Sequence, residues 1–203
     1  SRVPHDEDAL GGPDRQGMTV VVAGGPGLVA AGYDQSGGDW DAAVWVSSDG
    51  LTWSRAAHDE AVLGGEGDQE ITAMAAVWAG LLAVGYDGTD EDWNAAVWTS
   101  VDGEAWRRVP DGENALGGAG DQWIAAVAAG GPGLVAVGTD YSDGDGKPAV
   151  WTSSDGLSWS RVPHDEAAFG GVGDQAIAAV TAGGGGLVAV GRDESGGDVD
   201  GAV

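Results

Sequence analysis

The chain of 203 residues has 33 acidic and 8 basic side chains, no cysteine and a net charge of −25. The acid excess argues against nucleic acid as a partner, because a phosphate backbone needs a basic face, and the lack of cysteine excludes disulfides and thiolate chemistry. No apolar run approaches the roughly 20 residues of a membrane-spanning helix, and the apolar fraction of 42% suits one globular domain, residues 1–203.

The sequence repeats itself with a period of 53 residues. Close copies of the string GLVAAG begin at the same place in every repeat, at Gly27, Gly80, Gly133 and Gly186. No insertion breaks the register, and the chain is nine residues short of four copies. Ser1–Pro4 is identical to Ser160–Pro163, so we expect both ends of the chain to belong to one repeat.

Each repeat contains four short apolar segments separated by glycine and aspartate. In the second repeat these segments are Ile71–Trp78, Leu81–Tyr86, Ala95–Ser100 and Ala105–Val109. Their lengths and their content of Val, Trp, Thr and Tyr predict strands. Four strands in a repeat of this size predict an all-β fold, a β-propeller of four-stranded antiparallel blades with four blades per chain. Ser1–Pro4 would supply the outer strand of a terminal blade whose inner strands come from residues 176–203.

A turn motif within each complete repeat resembles a known family signature. The strings SSDGLTW from Ser47, SVDGEAW from Ser100 and SSDGLSW from Ser153 resemble the Asp-box, or BNR, repeat of sialidase-type propellers. That motif reads Ser-x-Asp-x-Gly-x-x-Trp and lies between the third and fourth strands of a blade, whereas here glycine directly follows the aspartate. For an enzyme, the resemblance implies three clustered arginines and a tyrosine with a carboxylate partner.

The acidic residues are predicted to crowd onto one end of the blades. In an antiparallel blade, the loop between the second and third strands lies at the same end as the connection to the next blade. These two loop classes hold 29 of the 33 acidic residues. We therefore expect a strongly negative surface that concentrates cations or a basic partner.

Closely spaced aspartates in the loops between second and third strands make calcium a candidate cofactor, because Ca²⁺ takes six to eight oxygen ligands. The alternative is a set of turns in which the aspartates accept backbone amides and face water. The candidate ligands are Asp34, Asp39, Asp41, Asp87, Asp90, Asp92, Asp140, Asp143, Asp145, Asp193, Asp198 and Asp200.

Three tryptophans are candidates for binding a carbohydrate or a protein ligand. Trp40 and Trp93 lie beside the loop acids, and Trp123 occurs in one repeat only, so these rings are not explained by the regular core. By contrast, the repeated arginines fit pairing with a neighbouring acid, and the repeated histidines fit local structure. The arginines are Arg2, Arg55, Arg108 and Arg161, and the histidines are His5, His58 and His164.

These observations favour a scaffold that is not an enzyme, with no catalytic residues, which binds a partner through its acidic loops. Catalysis needs an acid, a base or a nucleophile with distinct roles, and a regular repeat places the same residues in every blade. The alternatives are a calcium-stabilised extracellular structural module, a glycoside-acting enzyme, and an engineered or excised propeller fragment. Adaptation to high salt would also explain the acidity. Strands rich in Ala and Gly leave open a homodimer that completes a larger ring, and we expect an extracellular or cell-surface location.

Overall fold

A computed structural model describes residues 3, 6–78, 80–88, 92–111, 115–131 and 133–203. The strands form four antiparallel sheets, each made of strands that are consecutive in the chain. The first sheet contains β1 (Gln16–Gly24), β2 (Gly27–Asp34), β3 (Asp41–Ser47) and β4 (Ser54–Arg55). The second contains β5 (Gln69–Val77), β6 (Gly80–Asp87), β7 (Asn94–Ser100) and β8 (Trp106–Arg108). The third contains β9 (Gln122–Gly130), β10 (Gly133–Asp140), β11 (Lys147–Ser153) and β12 (Ser160–Arg161), and the fourth contains β13 (Gln175–Gly183), β14 (Gly186–Asp193) and β15 (Asp200–Ala202).

The chain is an all-β propeller, as the repeat predicts, and we number its sheets as blades 1 to 4. The first strands of successive blades, β1, β5, β9 and β13, pack against one another in order. In the described part of the chain, three helices of four residues each precede blades 1, 2 and 4: α1 (Glu7–Leu10), α2 (Glu60–Leu63) and α3 (Glu166–Phe169). None of the helices among the described residues is long and apolar enough to cross a membrane. The predicted outer strand Ser1–Pro4 falls outside the described residues except at residue 3.

The core lies between blades, because both faces of each central strand are apolar. One cluster joins blades 1 and 2 through residues such as Val44 and Ile71, and a second joins blades 2 and 3 through residues such as Val97 and Ile124. The repeated tryptophans of the third strands β3, β7 and β11 are fully buried. In blade 2 its indole Nε1 donates to the carbonyl of Val62 in α2 at 2.6 Å, so the ring also fixes the helix that precedes its blade.

The turns between third and fourth strands share one hydrogen-bond pattern. In blade 1 the amides of Leu51 and Thr52 donate to Asp49 Oδ1 at 2.8 and 2.7 Å, and the amide of Gly50 donates to Ser47 Oγ at 2.9 Å. The turns after β7 and β11 repeat these bonds. These bonds keep the aspartate ionised, because they lower its pKa. The aspartate of the motif is thus a turn-forming residue.

Successive blades are also joined by reciprocal bonds between loops. The amide of Gly67, ahead of blade 2, donates to Asp39 Oδ2 of blade 1 at 3.0 Å, and Asp68 Oδ1 accepts the amide of Trp40 at 3.0 Å. The same pair of bonds recurs one repeat later between blades 2 and 3. Between blades 3 and 4 one bond of this kind is present, from the amide of Gly146 to Asp174 Oδ1 at 2.7 Å. The loops between second and third strands of blades 1 to 3 therefore hold the segment that enters the next blade.

A threonine in the first strand adds one more bond between blades. Thr19 and Thr72 lie at β-bulges, where the strand register shifts by one residue. Their hydroxyls donate to the carbonyls of Ile71 and Ile124 in the next blade, at 2.6 and 2.5 Å. Blade 3 has the same bulge, but the residue there is Ala125, which has no hydroxyl.

We predict that Ala125→Thr stabilises the chain, because the new hydroxyl would reach the carbonyl of Ile177 as its equivalents do. The expected gain in the free energy of unfolding is about 0.5–1 kcal/mol, measured by urea denaturation. Thr72→Val, which removes the existing bond at nearly constant volume, should lose about 1 kcal/mol. Thr152→Val on the exposed side of β11 serves as a control, and a loss there equal to that of Thr72→Val would contradict the assignment.

Candidate functional site

The antiparallel strand order brings the two acidic loop classes to one end of the blades, which we call the loop end. It comprises the loops between second and third strands and the segments that lead into first strands. The first strand of each blade begins at this end, and the second strand finishes there. Side chains near these strand termini therefore lie where the acidic loops meet.

Three of the predicted calcium ligands are each engaged by an arginine of their own blade. Asp34, Asp87 and Asp140 are buried at the ends of the second strands. Each pairs with the arginine of the fourth strand and accepts a bond from the glutamine that begins the first strand; the arginines are Arg55, Arg108 and Arg161, and the glutamines are Gln16, Gln69 and Gln122. This confirms the predicted pairing with an acid for these three arginines, whereas the fourth repeated arginine, Arg2, lies outside the described residues.

Hydrogen bonds determine the ionisation of Asp34. Burial opposes its charge, but bonds from Ser36, Arg55 and Gln16 outweigh that effect and lower its pKa to about 2. The carboxylate of Asp140 is held in the same way: burial raises its pKa, and bonds from Ser142 and Arg161 lower it below the ordinary value. These aspartates are anions with protein partners at neutral pH.

The other predicted calcium ligands have varied surroundings. Asp39 and Asp92 accept backbone amides, Asp143 pairs with Lys147 at 2.9 Å, and Asp193 accepts the amide of Ser195 at 2.8 Å. Asp145, Asp198 and Asp200 are exposed, and Asp90 lies outside the described residues. The calcium site stays a prediction, which a thermal melt with Ca²⁺ against EDTA would test.

Asp41 belongs to a small group that also contains His58 and Glu60. Their ligand atoms lie within 4.8 Å of one another, with His58 Nε2 at 3.8 Å from Asp41 Oδ2 and 3.5 Å from Glu60 Oε1. Burial raises the pKa of Asp41, and His58 partly opposes that shift. In blade 3 the position of Asp41 is occupied by Lys147, so the repeat does not preserve this group.

Two of the three predicted ligand-binding tryptophans come together in an aromatic row at the loop end. Trp93 stacks on Tyr86 with ring centroids 4.5 Å apart and meets the edge of Trp123 at 6.3 Å. Trp123 in turn stacks on Tyr141 at 5.4 Å, so the row runs from blade 2 to blade 3. Trp40 instead stacks on Tyr33 within blade 1, at 4.4 Å. Its role in ligand binding stays a prediction.

A carboxylate that the sequence argument did not single out lies beside this row. Glu70 on β5 accepts a hydrogen bond from the Tyr86 hydroxyl, with 3.2 Å between the oxygens. Burial raises the pKa of Glu70, and the bond from Tyr86 partly offsets that shift. Burial and the nearby Glu70 together raise the pKa of Tyr86. The pair thus joins a partly buried carboxyl group, easier to protonate than usual, to a neutral phenol.

Glu70 breaks the repeat, which is the signal that could have revealed it. The equivalent residues in the other blades are Gly17, Trp123 and Ala176. Tyr86 is matched in blade 1 by Tyr33, which packs over Gly17 and so has no carboxylate at that position. The four blades thus carry four different residues at this position, and Glu70 is the one acid among them.

A cleft of about 860 Å³ lies beside the loop that carries Trp93. Asp92, Asn94, Arg108 and Asp111 contribute polar groups to its wall, and Val109 and Leu116 contribute apolar ones. Its size falls in the range of about 300–1,000 Å³ common for small-molecule sites. Asp92 in its wall is the chain neighbour of Trp93, a member of the aromatic row.

Comparisons with known proteins match the fold alone. No protein-family model and no curated protein matches the sequence. Among solved structures, a candidate glycoside hydrolase from Parabacteroides distasonis aligns with a TM-score of 0.51 and 12% identity, over 86% of this chain and 61% of that one. A mutant GH32 β-fructofuranosidase from Bombyx mori, solved with sucrose, aligns with a TM-score of 0.48 and 15% identity, over 83% and 38%. This chain therefore spans less than two thirds of either structure.

The prediction that the chain is not an enzyme is wrong in the light of this likeness. It rested on the regularity of the repeat, yet the same propeller architecture occurs in a candidate glycoside hydrolase. The regularity is also interrupted at Glu70, beside the aromatic row. A repeated fold and a catalytic site are thus compatible, because one irregular position is enough to supply a distinct chemical group.

Proposed function

We propose that the chain is a glycoside-acting propeller whose site lies at the loop end of blades 2 and 3. The observation that carries the proposal is the hydrogen-bonded pair of Glu70 and Tyr86 next to the aromatic row. Aromatic faces stack on sugar rings, and glycoside hydrolysis needs a carboxylic acid that holds a proton near neutral pH. The pair also supplies the tyrosine with a carboxylate partner that the sialidase-type resemblance implies.

In this proposal Glu70 is the general acid. Its raised pKa makes this carboxyl group easier to protonate than an ordinary glutamate, and its proton passes to the glycosidic oxygen as the bond from that oxygen to the anomeric carbon breaks. A second carboxylate must then activate water or attack the sugar. Asp68, whose charge contributes to the raised pKa of Tyr86, is our candidate for that second group. Trp93 and Trp123 would hold the sugar by stacking.

The substrate class that the charges favour is neutral glycosides. The acidic loop end repels a sugar carboxylate, and Arg55, Arg108 and Arg161 are each bound to an aspartate of their own blade. They are therefore not available as the arginine cluster that a sialic acid would require. We assign the turns after β3, β7 and β11 as variants of the Asp-box, on the basis of their shared bonds.

The test is hydrolysis of a panel of nitrophenyl glycosides by the purified chain. The panel contains neutral hexosides and pentosides and one sialoside. We expect turnover of at least one neutral glycoside and none of the sialoside. The proposal fails if no neutral glycoside is cleaved and isothermal titration detects no binding of the corresponding free sugars.

A further inference from the structure

The face of blade 4 that is directed away from blade 3 is apolar and uncovered. Val188 and Val190 on β14 are 45% and 43% exposed, whereas their equivalents Leu82 and Val84 in blade 2 are 0% exposed. In blade 2 those residues form the face that packs on the following blade. Blade 4 therefore presents the same kind of face with nothing on it in the described structure.

Blade 1 presents the complementary face, the one that packs on a preceding blade. Met18 and Val21 on β1 are 44% and 57% exposed, whereas the equivalent Ile71 and Met74 of blade 2 are 0% and 6% exposed. Ile71 and Met74 are covered by blade 1 in the cluster between blades 1 and 2. The molecule thus carries, at its two ends, both halves of a junction that it also builds between its own blades.

The charge at one half of this junction is reversed. At the internal junctions the residue ahead of the first-strand glutamine is an acid, Asp68, Asp121 or Asp174. Asp68 and its neighbour Gly67 bind the loop of blade 1 that contains Asp39. At the uncovered end the residue is Arg15, and the blade 4 equivalent of Asp39 is the exposed Asp198. A junction between blade 4 and blade 1 would bring these opposite charges together.

We propose that the two faces bind a second copy of this chain, so that blade 4 of each copy packs on blade 1 of the other. A second copy presents both complementary faces at once, and two such contacts related by a twofold axis close a ring of eight blades. Burial of the exposed Val188, Val190, Met18 and Val21 supplies apolar contact. Pairing of Arg15 with Asp198 of the other copy favours this register over others.

The test is light scattering coupled to size-exclusion chromatography, with the whole chain across a dilution series. We expect a species of twice the 20.2 kDa chain mass. Val190→Asp should abolish it, while the same change at Val101, a residue 80% exposed in the turn after β7, should leave it intact. A wild-type monomer at every concentration overturns the proposal, and so does a series of longer polymers.

A charge exchange separates the proposed contact from general misfolding of blade 4. Arg15→Glu should raise the dimer dissociation constant roughly tenfold. The double variant Arg15→Glu with Asp198→Arg should return that constant to the wild-type value. Circular dichroism and a thermal melt establish that each variant is folded. Failure of the double variant to restore a dimer lost in Arg15→Glu would refute the pairing and with it the proposed register.

Discussion

Replacing Glu70 with Gln should lower kcat/KM on an unactivated neutral disaccharide by about 10²–10⁴-fold, the usual contribution of a general acid. The amide keeps the shape of the side chain but cannot donate a proton to the leaving oxygen. The loss should be much smaller on a nitrophenyl glycoside, because nitrophenolate leaves without protonation. A ratio between the two substrates that is unchanged by Glu70→Gln would contradict the general-acid role, since misfolding lowers both rates alike.

Tyr86→Phe gives a second readout for the same site, with Tyr33→Phe as its matched control. The hydroxyl of Tyr86 lowers the pKa of Glu70, in opposition to burial, so its removal should raise that pKa further. A general acid is active while protonated, and activity falls as pH rises through its pKa. The alkaline limb of the pH profile should therefore move to higher pH in Tyr86→Phe. It should not move in Tyr33→Phe, because glycine stands at the position of Glu70 in blade 1.

Asp34→Ala should reduce the free energy of unfolding at neutral pH by about 3 kcal/mol, the lower part of the range for breaking a buried ion pair. The change leaves Arg55 without its carboxylate and removes the acceptor for Gln16 and the Ser36 hydroxyl. Arg55 retains partial contact with water, which limits the cost. Urea denaturation at neutral pH measures the effect.

The effect of Asp34 should also depend on pH with a definite sign. Its pKa is about 2 in the folded chain, below the ordinary value of 3.8. The stabilisation is therefore complete above pH 4 or so and is lost as the pH falls from there towards 2. The difference between wild type and Asp34→Ala should shrink over that interval. Asp143→Ala removes an exposed carboxylate instead and should cost less than about 1 kcal/mol; an equal loss there would contradict the special role of Asp34.

The repeat made most of the fold predictable. Segments such as Leu81–Tyr86 and Ala95–Ser100 lie inside strands β6 and β7, because alternating glycine and apolar runs define the ends of short strands. The four-residue helices were not predicted, since a single turn has no helical periodicity to detect. The helix caps were nevertheless present in the sequence: Asp59 accepts the amide of Ala61 at 3.1 Å at the start of α2.

The site was less predictable, because it depends on contacts between residues that are distant in the chain. Trp93 and Trp123 were recognised as exceptions to the core pattern, but their meeting requires two neighbouring blades. Glu70 was one acid among 33, and the bond to Tyr86 joins two adjacent strands. Comparison of equivalent positions across the repeats separates such a residue from its acidic background, whereas the total charge does not.

The reciprocal bonds between loops have a consequence for how such a chain can grow. Asp39 and the segment around Asp68 are the two halves of one connection, and equivalent halves join blades 2 and 3. Removing or duplicating 53 residues from any starting point rejoins matching halves, whereas a length that is not a whole number of repeats leaves mismatched ones. Gene duplication can therefore change the number of blades while the contacts between blades stay the same. A single blade can still differ from the others at one residue, such as Glu70.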